Sequence, residues 1–412
     1  MEKNAFETVS RRIDAYREEA VELQKSLTAI PALGPENGGD GECRKAEFLR
    51  RYLQGLGVRE IVDVPAQDGR VPCGYRPNLI ATVGPSGART TWIMAHMDVV
   101  PPGDLKMWDT DPFQAVVKGG KIFGRGVEDN HQAVVCGLLV MKAVIECGVE
   151  LRSRLGLVLV SDEETGSRYG LEHVLKQKKS LFRRNDLILV PDAGEPGGDK
   201  IEIAEKSILW LKFTIRGKQC HASTPDKGIN AFRAGSALVS KLDDLHRLFP
   251  GKDKVFEPPA STFEPTKKDA NVPNINTIPG EDVFHLDCRV LPAYKLADVK
   301  RKVRTLTSAL EKKHRVKIRF ESVQEAQAAP PTAAEAPVVV ALQRAVREVY
   351  RVKAVPVGIG GGTVAAIFRR AGFPTAVWSR IADMAHQPNE YCSIDYLLGD
   401  SKVFAHVYLS AF

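Results

Sequence analysis

Apolar residues recur along this chain with two alternating periods, helical and strand-like, and that alternation predicts an α/β protein. Over residues 5–29 the apolar positions fall at helical spacing among Arg, Glu and Lys, which predicts an exposed amphipathic helix. A stretch rich in Gly, Pro and Asn follows at 31–41, then a second helix at 43–56 that stops at Gly57. Short β-branched runs at 61–64, 78–83 and 92–97 read as strands. The irregular segment 100–113 carries an aromatic and several acids, as loops that rim a site do. After a hairpin at 118–126 comes a helix of small residues at 132–146. The runs at 155–160 and 186–190 are continuously apolar, as strands covered on both faces are.

From about Ser207 the pattern changes. A strand at 208–215, a helix at 228–248, strands at 274–278 and 283–291, a helix at 296–314 and a strand at 316–323 follow in order. This β-α-β-β-α-β succession is the split-βαβ, ferredoxin-like pattern. Residues 324–337, rich in Ala, Pro and Glu, read as a return linker. A helix at 338–350, the glycine-rich turn Gly358-Ile-Gly-Gly-Gly-Thr363 opening another helix, a strand at 374–379 and a last helix then resume the alternation of the first half. The expected architecture is a mixed sheet flanked by helices, formed by 1–207 and 324–412, with an α+β domain inserted at 208–323.

Composition narrows the function classes. A chain of 412 residues exceeds one ordinary core, and 43% apolar with 26% charged residues is the balance of a folded enzyme. The net charge of +7 is spread along the chain without a basic run, so nucleic acid is not implied, though the excess suits an anionic small substrate. The seven cysteines are scattered, with no C-x-x-C pair, and read as reduced thiols. The N-terminal stretch lacks the apolar core of a signal peptide, and no run reaches the length of a membrane span. These features together lead to the expectation of a cytoplasmic protein.

The candidate chemistry lies at the strand ends. His96 and Asp98 sit at positions i and i+2 and share a face, either as two ligands or as one ligand and its orienting partner. Asp129 lies at a strand-to-helix corner, where a carboxylate enters a site or caps a helix. Glu163 and Glu164 follow one apolar strand, Asp192 another, and His386 the strand at 374–379. In an open α/β sheet such ends gather at one edge. Two imidazoles with several carboxylates suit a pair of zinc ions, or cobalt or manganese in their place, and leave a glutamate as general base. The sequence contains no phosphate loop, nucleophile elbow or dinucleotide fingerprint, so phosphoryl and hydride transfer have no support.

Five motifs occur in order between about residues 75 and 400: Met94-Ala-His-Met-Asp98, Gly124-Arg-Gly-Val-Glu-Asp129, Ser161-Asp-Glu-Glu-Thr-Gly166, Gly217-Lys-Gln-Cys-His221 and Ala385-His-Gln-Pro-Asn-Glu390. Together they resemble the acetylornithine deacetylase and succinyl-diaminopimelate desuccinylase family, which also holds aminoacylases, dipeptidases and carboxypeptidases. The resemblance implies that Asp129 bridges two metal ions, with His96 and Asp192 completing one position and Glu164 and His386 the other. It makes Glu163 the general base, passing a proton from the bridging water to the leaving amine, and Asp98 the partner that orients His96. In dimeric relatives the counterpart of His221 crosses to the partner subunit and stabilises the oxyanion, which implies a homodimer through the inserted domain.

Arg289 offers a guanidinium fork suited either to a substrate carboxylate or to a salt bridge with Asp287. Asn274, Asn276 and the backbone of Gly361, Gly362 and Thr363 are further candidate substrate contacts. The chain departs from many relatives in carrying Asn130-His131 after the bridging Asp and Thr363-Val-Ala after the glycines, both expected near the substrate. The implied activity is hydrolysis of an N-acetyl or N-succinyl amino acid or, alternatively, of a short peptide, with no nucleic acid or membrane partner.

Overall fold

In the computed structural model, which describes residues 2–410, the chain divides into two compact units. One runs to Ile203 and resumes as Thr332–Val357 and from Thr363 onward, while the other comprises Ala204–Pro331 with Gly358–Gly362. The outermost positions of the expected segments, residue 1 and residues 411–412, lie outside the described residues.

The first unit is built on an eight-stranded sheet ordered Glu60–Asp63, Leu79–Val83, Arg154–Val160, Thr90–His96, Leu187–Val190, Thr375–Val377, Lys200–Glu205 and Val355–Ile359. Arg154–Val160, Thr90–His96, Leu187–Val190 and Thr375–Val377 are adjacent and parallel, and antiparallel strands flank them. Every residue of Thr90–His96 and Leu187–Val190 is buried, which is why both read as unbroken apolar runs. The helix His131–Glu146 is apolar around nearly its whole circumference because it packs between this sheet and the helices Arg17–Thr28 and Ile394–Ser410.

Trp92 and Gly156 are register partners on neighbouring central strands, and a Cβ at 156 would lie 2.2–2.3 Å from ring carbons of Trp92. Gly156→Ala therefore overpacks the centre of the sheet and is expected to cost about 1–3 kcal/mol, read as a lowered urea midpoint.

The second unit is a four-stranded antiparallel sheet ordered Thr262–Lys268, Glu281–Val290, Ser207–Arg216 and Lys317–Ala326. Numbered along the chain this order is 2-3-1-4, that of a ferredoxin-like fold. Inward residues of Ser207–Arg216 and Glu281–Val290 alternate with outward ones, and Phe213 stacks on Phe284 with ring centroids 4.8 Å apart. The helices Ala231–Leu242 and Leu296–His314 cover the sheet.

Several sequence expectations need correcting. The second strand of that sheet is Thr262–Lys268, whereas Thr277–Ile278 pairs instead with Cys220–His221. Thr262–Lys268 is an edge strand holding Pro265 and two lysines with only Phe263 buried, so it gives no strand signal. The single N-terminal helix is two, Glu2–Asp14 and Arg17–Thr28. Their apolar face is not exposed: Val9, Ile13, Tyr16, Leu23 and Leu27 are buried. The helix expected at 228–248 is broken into Ala231–Leu242 and Asp244–Leu248. Not all cysteines are thiols either, since Cys43 and Cys73 form a disulfide across 30 residues; the other five are free. Among the described residues no helix is long and apolar enough to cross a membrane.

Candidate metal centre

The four parallel strands end on the same edge, and each is followed by candidate ligands. Thr90–His96 ends on His96, Arg154–Val160 leads to Glu163 and Glu164, Leu187–Val190 to Asp192, and Thr375–Val377 through an irregular segment to His386. Asp129 enters from the turn before the helix His131–Glu146, through a cis Asp129–Asn130 peptide.

These side chains converge. Asp129 faces two imidazoles with different oxygens: Oδ1 lies 2.9 Å from His96 Nε2, and Oδ2 lies 3.2 Å from His386 Nε2. His96 Nε2 is also 3.2 Å from Asp192 Oδ1, and His386 Nε2 is 3.1 Å from Glu164 Oε2. Donor atoms of His96, Glu163 and Asp192, and likewise of His96, Asp129 and Glu164, all lie within 4.8 Å of one another. That spacing suits ligands gathered around a common divalent ion at bond lengths of about 2.0–2.2 Å. The tautomer fits as well. His96 Nδ1 lies 3.0 Å from the carbonyl oxygen of Asp98, which can only accept, so Nδ1 carries a proton and Nε2 is the nitrogen turned toward Asp129 and Asp192, where a metal would take it.

Burial raises the Glu163 carboxyl well above its ordinary value, and the charge of Asp192 adds to the effect. Burial works against the ionised form of Asp129 too, but the imidazoles of His386 and His96 hold it low. His386 in turn is raised to about 10 by its hydrogen bonds to Asp129 and Glu164. The carboxylates thus hold both imidazoles in their protonated form, and a divalent cation would take the place of the two Nε2 protons, with carboxylate and imidazole donors suited to a hard to borderline ion.

Asp98 meets the His96 ring with its carbonyl and has a second contact on the glutamate turn. Its carboxylate is 3.5 Å from His96 Nδ1, while its oxygens accept the amide N–H groups of Glu163 at 3.1 Å and Glu164 at 3.0 Å. The carbonyl orients the imidazole, and the carboxylate fixes the turn that carries both glutamates. Asp162, which begins that turn, has a left-handed φ of 63°. Its carboxylate accepts the Tyr169 N–H at 2.8 Å, holding this unfavourable conformation in place. Buried Arg76 lies 3.6 Å from Asp162 and grips buried Glu42 through two nitrogens.

The residues after Asp129 point inward. Asn130 is buried and donates to the Pro191 carbonyl at 2.9 Å and to Asp192 Oδ1 at 2.8 Å, which makes it the brace for Asp192. His131 is also buried, with Nε2 2.6 Å from Lys45 Nζ, and burial pulls that ammonium down to about 7. The parts played by Asn130, Lys45, Arg76, Glu128 and Glu390 do not follow from the sequence. Their signals are the run of polar residues Glu128-Asp129-Asn130 between Val127 and an apolar helix, and the place of Glu390 at the end of the motif that carries His386.

The other candidates lie in the second unit, apart from Thr363. His221 is exposed, and its Nδ1 is 2.7 Å from Ser223 Oγ. Beside it the Ala222 N–H donates to the Asn276 carbonyl at 2.8 Å, and Asn274 donates to Thr277 Oγ1 at 2.8 Å. Arg289 donates to Asp287 at 2.8 and 3.1 Å and to the Gly360 carbonyl at 2.8 Å. That last contact holds the glycine turn of Gly361 and Gly362 to its strand.

Residues 92–410 match the model of peptidase family M20/M25/M40. An uncharacterized metallohydrolase of Methanocaldococcus jannaschii is 38% identical over 404 residues, covering 95% of this chain and 98% of that protein. A succinyl-diaminopimelate desuccinylase of Gluconacetobacter diazotrophicus is 29% identical over 272 residues, 66% of this chain and 67% of that enzyme. The structure of human carnosine dipeptidase 1 superposes with a TM-score of 0.71 over 98% of both chains at 18% identity, a likeness of fold.

Proposed function

The chain belongs to peptidase family M20/M25/M40 and is a metallohydrolase of amide or peptide bonds; from that premise we propose that it removes the acyl group from an N-acyl amino acid of the succinyl-diaminopimelate or acetylornithine type. The observation that carries the reading is the position of Asp129 between two imidazoles, one oxygen toward His96 and the other toward His386. In this reading His96 and Asp192 would hold one divalent ion and His386 and Glu164 another, with Asp129 placed to serve both. Two zinc ions bound there would acidify a shared water and polarise the scissile carbonyl. The chain's own residues do the rest. Glu163, its backbone tethered to Asp98, takes the proton from the attacking water and delivers it to the departing amine nitrogen. Asp98 and Asn130 keep the glutamate turn and Asp192 in place while this happens.

The acyl-amino-acid preference is supported by desuccinylases among the sequence relatives at 23–29% identity. We assign the substrate carboxylate to Arg289, and a homodimer through the second unit with His221 serving the oxyanion, on the sequence motifs described above. Amine release from N-succinyl-diaminopimelate, N-acetylornithine and a set of dipeptides tests the substrate class. Turnover of an acylated amino acid at least about tenfold above every dipeptide, a difference of about 1.4 kcal/mol in transition-state binding, is the expected result. Turnover of dipeptides alone would replace this reading with a dipeptidase.

A further inference from the structure

We infer that Glu128 and Glu390 form a reciprocal clamp in which Glu390 places Asp129 and Glu128 places His386; the inference rests on the ligand assignment proposed above. Glu390 lies four residues beyond His386, and its fully buried carboxylate is saturated by the turn that carries Asp129. Oε2 accepts Arg125 Nη1 at 2.6 Å and the Gly126 N–H at 2.9 Å, while Oε1 accepts the N–H groups of Glu128 at 2.9 Å and Asp129 at 3.1 Å. Glu128, the neighbour of Asp129, reaches the other way. Its two oxygens accept the N–H groups of Ala382 and Met384, both at 2.5 Å, in the segment leading into His386. The Gly124 N–H donates to the Glu390 carbonyl at 3.0 Å, and Tyr391–Ser393 pairs with Lys121–Phe123, which closes the base of the clamp.

Each segment therefore gives a carboxylate to the amides of the other. The arrangement is asymmetric. Glu390 holds the amide of Asp129 itself, the ligand assigned to both ions, whereas Glu128 acts on the backbone before His386 and so on one ion only. Gln at either position keeps the shape but offers one acceptor oxygen and turns an NH₂ toward an N–H donor. Loss of such an orienting partner costs about 10–100-fold in metal affinity.

The test is calorimetric titration of zinc into the metal-stripped full-length chain, for wild type, Glu128→Gln and Glu390→Gln, with thermal melts of the stripped proteins alongside. Wild type is expected to take two ions. Glu128→Gln should weaken one of them about 10–100-fold and leave the other unchanged, and Glu390→Gln should weaken both. Should Glu128→Gln fail to fold, Glu128→Asp, one methylene shorter, is expected to give the same asymmetry in smaller degree. Wild-type affinity for both ions in the Glu128 variants overturns the clamp. So does an equal loss at both ions in a Glu128 variant, with or without a lower melting temperature, which is what a merely structural carboxylate would produce. A wild-type chain that takes up no zinc removes the ligand assignment first and the clamp with it, so the two failures are told apart.

Discussion

Glu163→Gln is expected to keep its metal and lose about 10²–10⁴-fold in kcat, the contribution of a general base. The substitution preserves the volume of the side chain and the backbone N–H bond to Asp98, so the turn carrying Glu163 and Glu164 stays in place. What it removes is a carboxylate able to accept a proton, and no other member of the cluster replaces it. The geometry makes this experiment decisive, because a donor atom of Glu163 lies within 4.8 Å of those of His96 and Asp192. A carboxylate so placed could ligate rather than act as base. Metal analysis beside kcat separates the two roles: an ion lost together with activity makes Glu163 a ligand, and an ion retained without activity makes it the base.

The second large effect is expected at Asp129. Asp129→Ala deletes both oxygens that face the two imidazoles, so both ions should bind more weakly together, and hydrolysis should fall by about 4 kcal/mol in transition-state stabilisation, roughly a thousandfold. Asp192→Ala, which removes a partner of His96 alone, is expected to weaken one ion and leave the other. Metal content after desalting distinguishes these outcomes. Equal losses in the two variants would mean that Asp129 has no shared role.

Much of this site is legible in the sequence because the strands that deliver it are buried on both faces. Arg154–Val160 and Leu187–Val190 announce themselves as apolar runs, and the polar residues just beyond them stand out by contrast. The ferredoxin-like order is legible for the same reason, with an error at Thr262–Lys268, where an edge position tolerates proline and charge. Residues that act through tertiary contacts are not legible. The spacing of His96 and Asp98 suggests a carboxylate beside the imidazole, but not that the main-chain carbonyl joins it at 3.0 Å or that the carboxylate also accepts two amides far along the chain. Glu128 and Glu390 likewise look like ordinary acids until the 382–390 segment folds back over the 125–129 turn. The Cys43–Cys73 bond joins positions with no motif spacing, and only the fold brings them together.

If two ions held at Asp129 drive amide hydrolysis, activity must follow metal content. The rate of amine release from N-succinyl-diaminopimelate, measured as zinc is returned to the metal-stripped protein, shows whether it does. No turnover is expected without metal, and the rate should stop rising at two equivalents per chain. Full activity in the stripped protein, or none at any zinc level on any acylated amino acid or dipeptide, would contradict a dinuclear hydrolase.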